Sequence, residues 1–108
     1  MAGNKIATFI GFVIRSGKYR SGMNTVQTIK KANLILVCKT ASENTKSLAE
    51  KVAKRLNCPV MVSTQKPLTD YTFTTNTKVL AVTDKSLAKA IIDNGEEEFL
   101  MYNPNSIL

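Results

Sequence analysis

The sequence predicts a three-layer α/β domain with helices on both faces of a small sheet. Segments with helical apolar spacing alternate with short strand-like runs along the chain. Residues 34–38 are apolar at every position, the pattern of a strand buried on both faces. The 108 residues, 44% apolar and 21% charged, have the length and mix of one globular domain. With no Trp, 4 Phe and 3 Tyr, Ile, Leu, Val and Ala must fill the core.

Residues 4–15 read as the first helix. Ile6, Phe9, Ile10 and Val13 recur at helical spacing, and Ser16-Gly17 ends the run. Residues 18–21 read as a short extended piece. Gly22 opens a second helix, with Asn24 or Thr25 near its start and Val26 and Ile29 facing inward. After the strand at 34–38, Ser42 is a candidate N-cap for a third helix. That helix carries Leu48, Ala49, Val52, Ala53 and Leu56 on one stripe. Lys46, Glu50, Lys51, Lys54 and Arg55 lie on the other.

Asn57 and Pro59 stop the third helix, and residues 59–63 form the next strand. Residues 66–73 hold a turn or short helix started by Pro67. Residues 78–83 form another strand. Asp84 caps a last helix running to about Asp93, with Leu87, Ala88, Ile91 and Ile92 apolar. No internal repeat or linker interrupts the pattern. Residues 1–93 make the domain, and 94–108 read as an acidic C-terminal tail. Within that tail, Phe99, Leu100, Met101 and Tyr102 could dock on the body.

Composition excludes several function classes. There is no His, so a Ser-His-Asp or Cys-His centre cannot be built from this chain. With two Cys and no His, no zinc, haem or iron–sulfur site is expected, and no cofactor is implied. Cys38 and Cys58 sit in apolar surroundings and read as reduced thiols. No apolar run approaches the ~20 residues that span a bilayer, and the N-terminus carries no signal-peptide pattern. A cytoplasmic protein without a membrane partner is expected.

Charge is the strongest compositional signal. The chain has 15 Lys+Arg against 8 Asp+Glu, a net charge of +7. Residues 1–42 hold Lys5, Arg15, Lys18, Arg20, Lys30, Lys31 and Lys39 and no acidic residue. Residues 93–108 hold Asp93, Glu96, Glu97 and Glu98 and no basic one. A one-signed segment sets up a field that attracts polyanions, nucleic acid above all.

Two motifs invite enzymatic readings. Gly11, Gly17 and Lys18 suggest a phosphate loop. Five residues separate the glycines where four are needed, and Tyr19 stands where Ser or Thr would bind magnesium. The segment also follows a helix rather than a strand. Cys38 closes a strand and precedes a loop with Thr40, Ser42 and Thr45, then a helix. This layout resembles the phosphocysteine loop of bacterial sugar phosphotransferase IIB components. Against it, residues 39–44 contain no Gly, and Glu43 would repel phosphate. A phosphocarrier through Cys38 stands as the enzymatic alternative. The scattered carboxylates Glu43, Glu50, Asp70 and Asp84 nominate no catalytic pair.

The remaining cluster runs from Lys18 to Lys31. It joins a basic extended stretch to a polar helix start. Asn24 and Gln27 lie three apart and share a helix face. Their carboxamides donate and accept together, which suits base edges. Flanking Lys and Arg supply the sequence-independent phosphate attraction.

The stretch Gly11-Phe12-Val13-Ile14-Arg15-Ser16-Gly17-Lys18, followed by Gly22, resembles the opening of the kink-turn RNA-binding ribosomal protein superfamily. It is most similar to that superfamily's short bacterial ribosomal-protein-like branch, whose members typically read Gly-Leu-Ala-x-Arg-Ala-Gly-Lys-x-x-x-Gly. Thr40-Ala41-Ser42-Glu43-Asn44-Thr45-Lys46 resembles the branch's Asp-Ala-Ser-Glu-Asn-Thr-Lys. Asn57-Cys58-Pro59 and Val79 through Ile91 supply two more collinear blocks. Together they cover about residues 4–92.

The resemblance implies an α-β-α sandwich around a four-stranded mixed sheet. It also implies a non-enzymatic, monomeric RNA-binding protein for kink-turn or kink-turn-like RNA, with the ribosome as a candidate home. The family's RNA motif is Gly-x-Asn-Glu-x-x-Lys. Gly22 and Asn24 match it, Met23 fills the free position, and Thr25 and Thr28 replace Glu and Lys. In the family, Asn and Glu contact tandem sheared G·A pairs and Lys meets crowded phosphates. On this reading Lys18, Arg20, Lys30, Lys31 and Lys78 engage phosphates. The backbone of Gly22, Met23 and Asn24, with the side chains of Asn24, Thr25 and Gln27, contacts bases, and Ser21 and Thr28 complete the candidate RNA-binding set. The family's second contact precedes the last strand, where this chain has Thr75 and Asn76. A weaker or differently tuned RNA reader fits these residues as well as a strict kink-turn protein. A protein-interaction module that kept the fold without the RNA site is the third alternative.

Overall fold

The structure is a computed structural model describing residues 5–64, 66–72, 77–95 and 99–102. The first helix, α1 (Lys5–Ser16), buries Ile6, Ile10 and Val13 and ends at Gly17. A short strand, β1 (Tyr19–Ser21), leads to the single-turn helix α2 (Met23–Val26). Then come β2 (Leu34–Val37), α3 (Glu43–Leu56) and β3 (Val60–Ser63). A second single turn, α4 (Thr69–Thr72), precedes β4 (Val79–Val82) and α5 (Lys85–Asp93). The last described element is β5 (Phe99–Met101).

The long helices start and stop where their residues supply caps. The Ser42 hydroxyl accepts from the Thr45 N–H at 3.1 Å, and the Asp84 carboxylate accepts from the Leu87 N–H at 2.8 Å. Asn57 ends α3 in the left-handed conformation, with φ at 60°.

The sheet order is β1-β4-β2-β3-β5. Strands β2 and β3 are parallel, joined by the α3 crossover, and the other pairs are antiparallel. Alternation divides the strand side chains between two cores. Leu34, Leu36, Leu80 and Val82 face α1, α4 and α5. Ile35, Val37, Val79 and Ala81 face α2 and α3. The three-layer expectation holds, because each central strand buries both faces.

Two expectations change. The sheet has five strands rather than four. The fifth comes from the segment read as a tail: Phe99 is 1% exposed and packs 5.0 Å from the Tyr71 ring, while β5 pairs with β3. Its three residues carry no β-branched signal, and pairing with a strand almost forty positions earlier creates the element. The second helix is also a single turn. Gln27 is its C-cap, and Ile29 lies beyond it. Thr28 donates its hydroxyl to the Thr25 carbonyl, and Arg55 takes the carbonyls of Gln27 and Ile29. Those acceptors are lost to helix continuation.

No helix among the described residues is long and apolar enough to cross a membrane.

Candidate nucleic-acid interface

Strand β1 is an edge of the sheet, and its register decides where its side chains point. Arg20 pairs with Ala81, whose side chain belongs to the α2–α3 core, so Arg20 points to that layer. Tyr19 packs on the α1 side. Beyond α2 the chain turns back toward β2. Ile29 is half-buried there, while Lys30 and Lys31 stay exposed.

These segments enclose an open cleft of about 300 Å³ lined by Arg20, Ile29, Lys30, Lys31 and Thr83. Among the described residues, no carboxylate lines it. Three cations around one concavity repel one another and favour an anion between them. The walls are held by backbone bonds. The Thr83 N–H donates to the Lys18 carbonyl at 3.0 Å, and the Asn33 N–H donates to the Val82 carbonyl at 2.8 Å. The Arg55 guanidinium braces the segment carrying the lysines, at 3.0 Å from the Ile29 carbonyl and 2.9 Å from that of Gln27.

The other sequence-predicted residues divide between the ends of β1. Lys18 is exposed and adjoins the cleft through its bond with Thr83. Gly22 sits at the far end, with φ at 88° and its N–H donating to the Val79 carbonyl at 3.0 Å. Such a φ suits Gly because it has no Cβ. Met23 is half-buried against the α3-side core. Ser21, Asn24, Thr25, Gln27 and Thr28 are exposed. Gln27 keeps helical backbone angles, so its side chain stays near that of Asn24.

Lys78 stands beside the Gly22 end, away from the cleft. Its Nζ donates to the Thr40 hydroxyl at 2.6 Å. Thr75 and Asn76 lie outside the described residues. The structure therefore gathers Arg20, Lys30 and Lys31, with Lys18 alongside, and leaves Lys78 in a separate group. Sequence reasoning missed Ile29 and Thr83 as cleft lining and Arg55 as the brace. Nothing local marks them, since Arg55 reaches across 26 and 28 positions.

Lys78 and Thr40 belong instead to the surroundings of Cys38. The Cys38 sulfur lies 3.1 Å from the Thr40 hydroxyl and accepts from the Leu68 N–H at 3.2 Å. Burial pushes this thiol up. Bonds from the Thr40 side chain and from the Thr40 and Leu68 backbone, together with Lys78, outweigh burial and hold it below the ordinary value. The residue is only 1% exposed, whereas a phosphocarrier needs its sulfur at a surface. Cys58 packs against the opposite core, and burial pushes its thiol up. Both cysteines are free. Among the described residues, no cluster of three or more Cys, Asp and Glu side chains could hold a metal ion.

Fold and site together define an α-β-α sandwich with a basic cleft at one sheet edge. No protein-family model matches the chain, and no curated protein does. The fold is similar to the solved structure of a protein with unknown function from Bacillus halodurans C. The two share 18% sequence identity with a TM-score of 0.69, over 82% of this chain and 94% of the other. This likeness concerns the fold alone.

Proposed function

We propose that this chain is a non-enzymatic RNA-binding protein that engages a bent, kink-turn-like RNA. The observation that carries the reading is the meeting of Arg20, Lys30 and Lys31 around one cleft with no carboxylate among its described lining residues. A sharply bent RNA crowds phosphates from two stems, and clustered cations on one face relieve that crowding. Asn24 and Gln27 stand exposed on the same segment, six and three positions before Lys30. Their carboxamides can read base edges, although Thr25 and Thr28 replace the family's charged partners.

The test is a binding titration at two salt concentrations. One RNA carries a three-nucleotide bulge flanked by tandem G·A pairs. In the control, Watson–Crick pairs replace those G·A pairs. Tighter binding to the first RNA, persisting at the higher salt, is the expected result. Equal and strongly salt-dependent binding would reduce the cleft to a non-specific polyanion site. No binding to either RNA would favour a protein-interaction module.

A further inference from the structure

The outer face of α1 carries a feature the cleft does not use. Ile6, Ile10 and Val13 turn inward, which leaves Lys5, Thr8, Phe12 and Arg15 on the exposed side. Phe12 is 43% exposed. The Arg15 guanidinium sits over its ring, 4.9 Å from the centroid, and Phe9 packs edge-on at 6.4 Å. Among the described residues Arg15 makes no ion pair, and α1 contains no acidic residue.

A single exposed phenylalanine is ordinary on a protein surface. The cation held against its ring and the one-signed charge around it give this one a chemistry. An aromatic ring joined to a guanidinium plane is a stacking surface for nucleobases. The core of a protein interface is depleted of charge, whereas this ring shares its helix with the exposed cations Lys5 and Arg15. Among the described residues, the other large exposed apolar side chains, Leu100 and Met101, stand on β5, at the sheet edge opposite β1. The platform is also joined to the cleft. Arg15 lies in the last turn of α1, Lys18 follows three residues later, and Arg20 points from β1 into the cleft. Cations thus mark a path around the β1 edge from one face of the sheet to the other.

We infer that Phe12 and Arg15 form a stacking platform for an unpaired base in a single strand that flanks the structured RNA. The inference rests on the RNA-binding reading and adds a second contact to it. The strand leaves the cleft, follows Lys18 around the β1 edge and stacks a base on the Phe12–Arg15 pair.

The test compares the bulged RNA alone with the same RNA carrying about eight unpaired nucleotides at either end, a length typical of single-strand sites. The wild-type chain is expected to bind one extended RNA about ten-fold more tightly than the core. Phe12→Ala should abolish that gain and leave core binding unchanged, while Phe12→Tyr should retain it. A fluorescent purine analogue in the extension should be quenched by wild type and by Phe12→Tyr, but not by Phe12→Ala. An extension that adds no affinity, or a Phe12→Ala chain that keeps the full gain, overturns the platform while RNA binding at the cleft stands. Failure of the wild type to bind either RNA overturns both readings.

Discussion

Arg55 on α3 donates to the main-chain carbonyl of Ile29, 26 positions earlier, at 3.0 Å. A second donation reaches Gln27 at 2.9 Å, so one guanidinium spans the turn that follows α2. The planar fork satisfies two carbonyls at once, which a lysine cannot match. Arg55 therefore sets the position of Lys30 and Lys31 without lining the cleft. Arg55→Met should lower stability by about 1 kcal/mol, the usual net loss for exposed hydrogen bonds. It should also weaken RNA binding more than loss of one distant surface cation. Equilibrium urea unfolding and a parallel titration check both parts, with Lys54→Met as the charge control. Equal binding losses in the two variants would remove the bracing role.

Lys31 and Asn24 should separate by their salt dependence. Lys31→Ala should weaken binding to bent and duplex RNA alike and flatten the log–log salt slope by about one. Asn24→Ala should weaken bent-RNA binding far more than duplex binding and leave the slope unchanged. Lys78→Ala should change the slope less than Lys31→Ala, because Lys78 lies outside the cleft and is engaged with Thr40. A Lys78 effect as large as that of Lys31 would move the interface toward the Gly22 end of β1.

Gly95 should tolerate no side chain. A Cβ there would stand 2.6 Å from the Met61 methyl and 2.9 Å from the Phe99 carbonyl oxygen. The methionine end can move, but the carbonyl belongs to β5 and cannot retreat without disturbing Phe99. Gly95→Ala is expected to cost about 1–3 kcal/mol, the range for overpacked positions. Thermal unfolding followed by circular dichroism measures this. An unchanged melting temperature would mean that β5 yields freely.

The two thiols should be displaced in opposite directions from their ordinary value. In the folded chain Cys38 is held below its ordinary value and Cys58 above it. For Cys38 the folded state favours the thiolate. Its contribution to stability is complete above the unfolded thiol's value and is lost as pH falls through the lower folded value. For Cys58 the folded state favours the protonated thiol. That contribution is present below the unfolded value and fades as pH rises through the higher folded one. Thiolate ultraviolet absorbance of Cys58→Ser should show Cys38 ionising at lower pH than in the urea-unfolded chain. Adding Thr40→Val should move the midpoint upward, and an unmoved midpoint would discount the Thr40 hydroxyl.

Local signals carried most of the fold into view. The α1 spacing, the Ser42 and Asp84 caps and the apolar runs of β2 and β4 each act over a few neighbouring residues. They also determined the three-layer order, since fully apolar strands require cover on both faces. The charge asymmetry between the two ends of the chain was likewise present in the residue order alone.

Other features depended on which distant segments meet. Strand β5 exists because Phe99 finds Tyr71 and the chain pairs with β3. The shortness of α2 follows in part from Arg55, which no window around Gln27 contains. The pairing of β1 with β4 decided that Arg20 meets Lys30 and Lys31 while Lys78 stands apart. Periodicity assigns a side chain to one face of its own element. Register and crossover decide which other elements share that face, and the cleft exists only at that level.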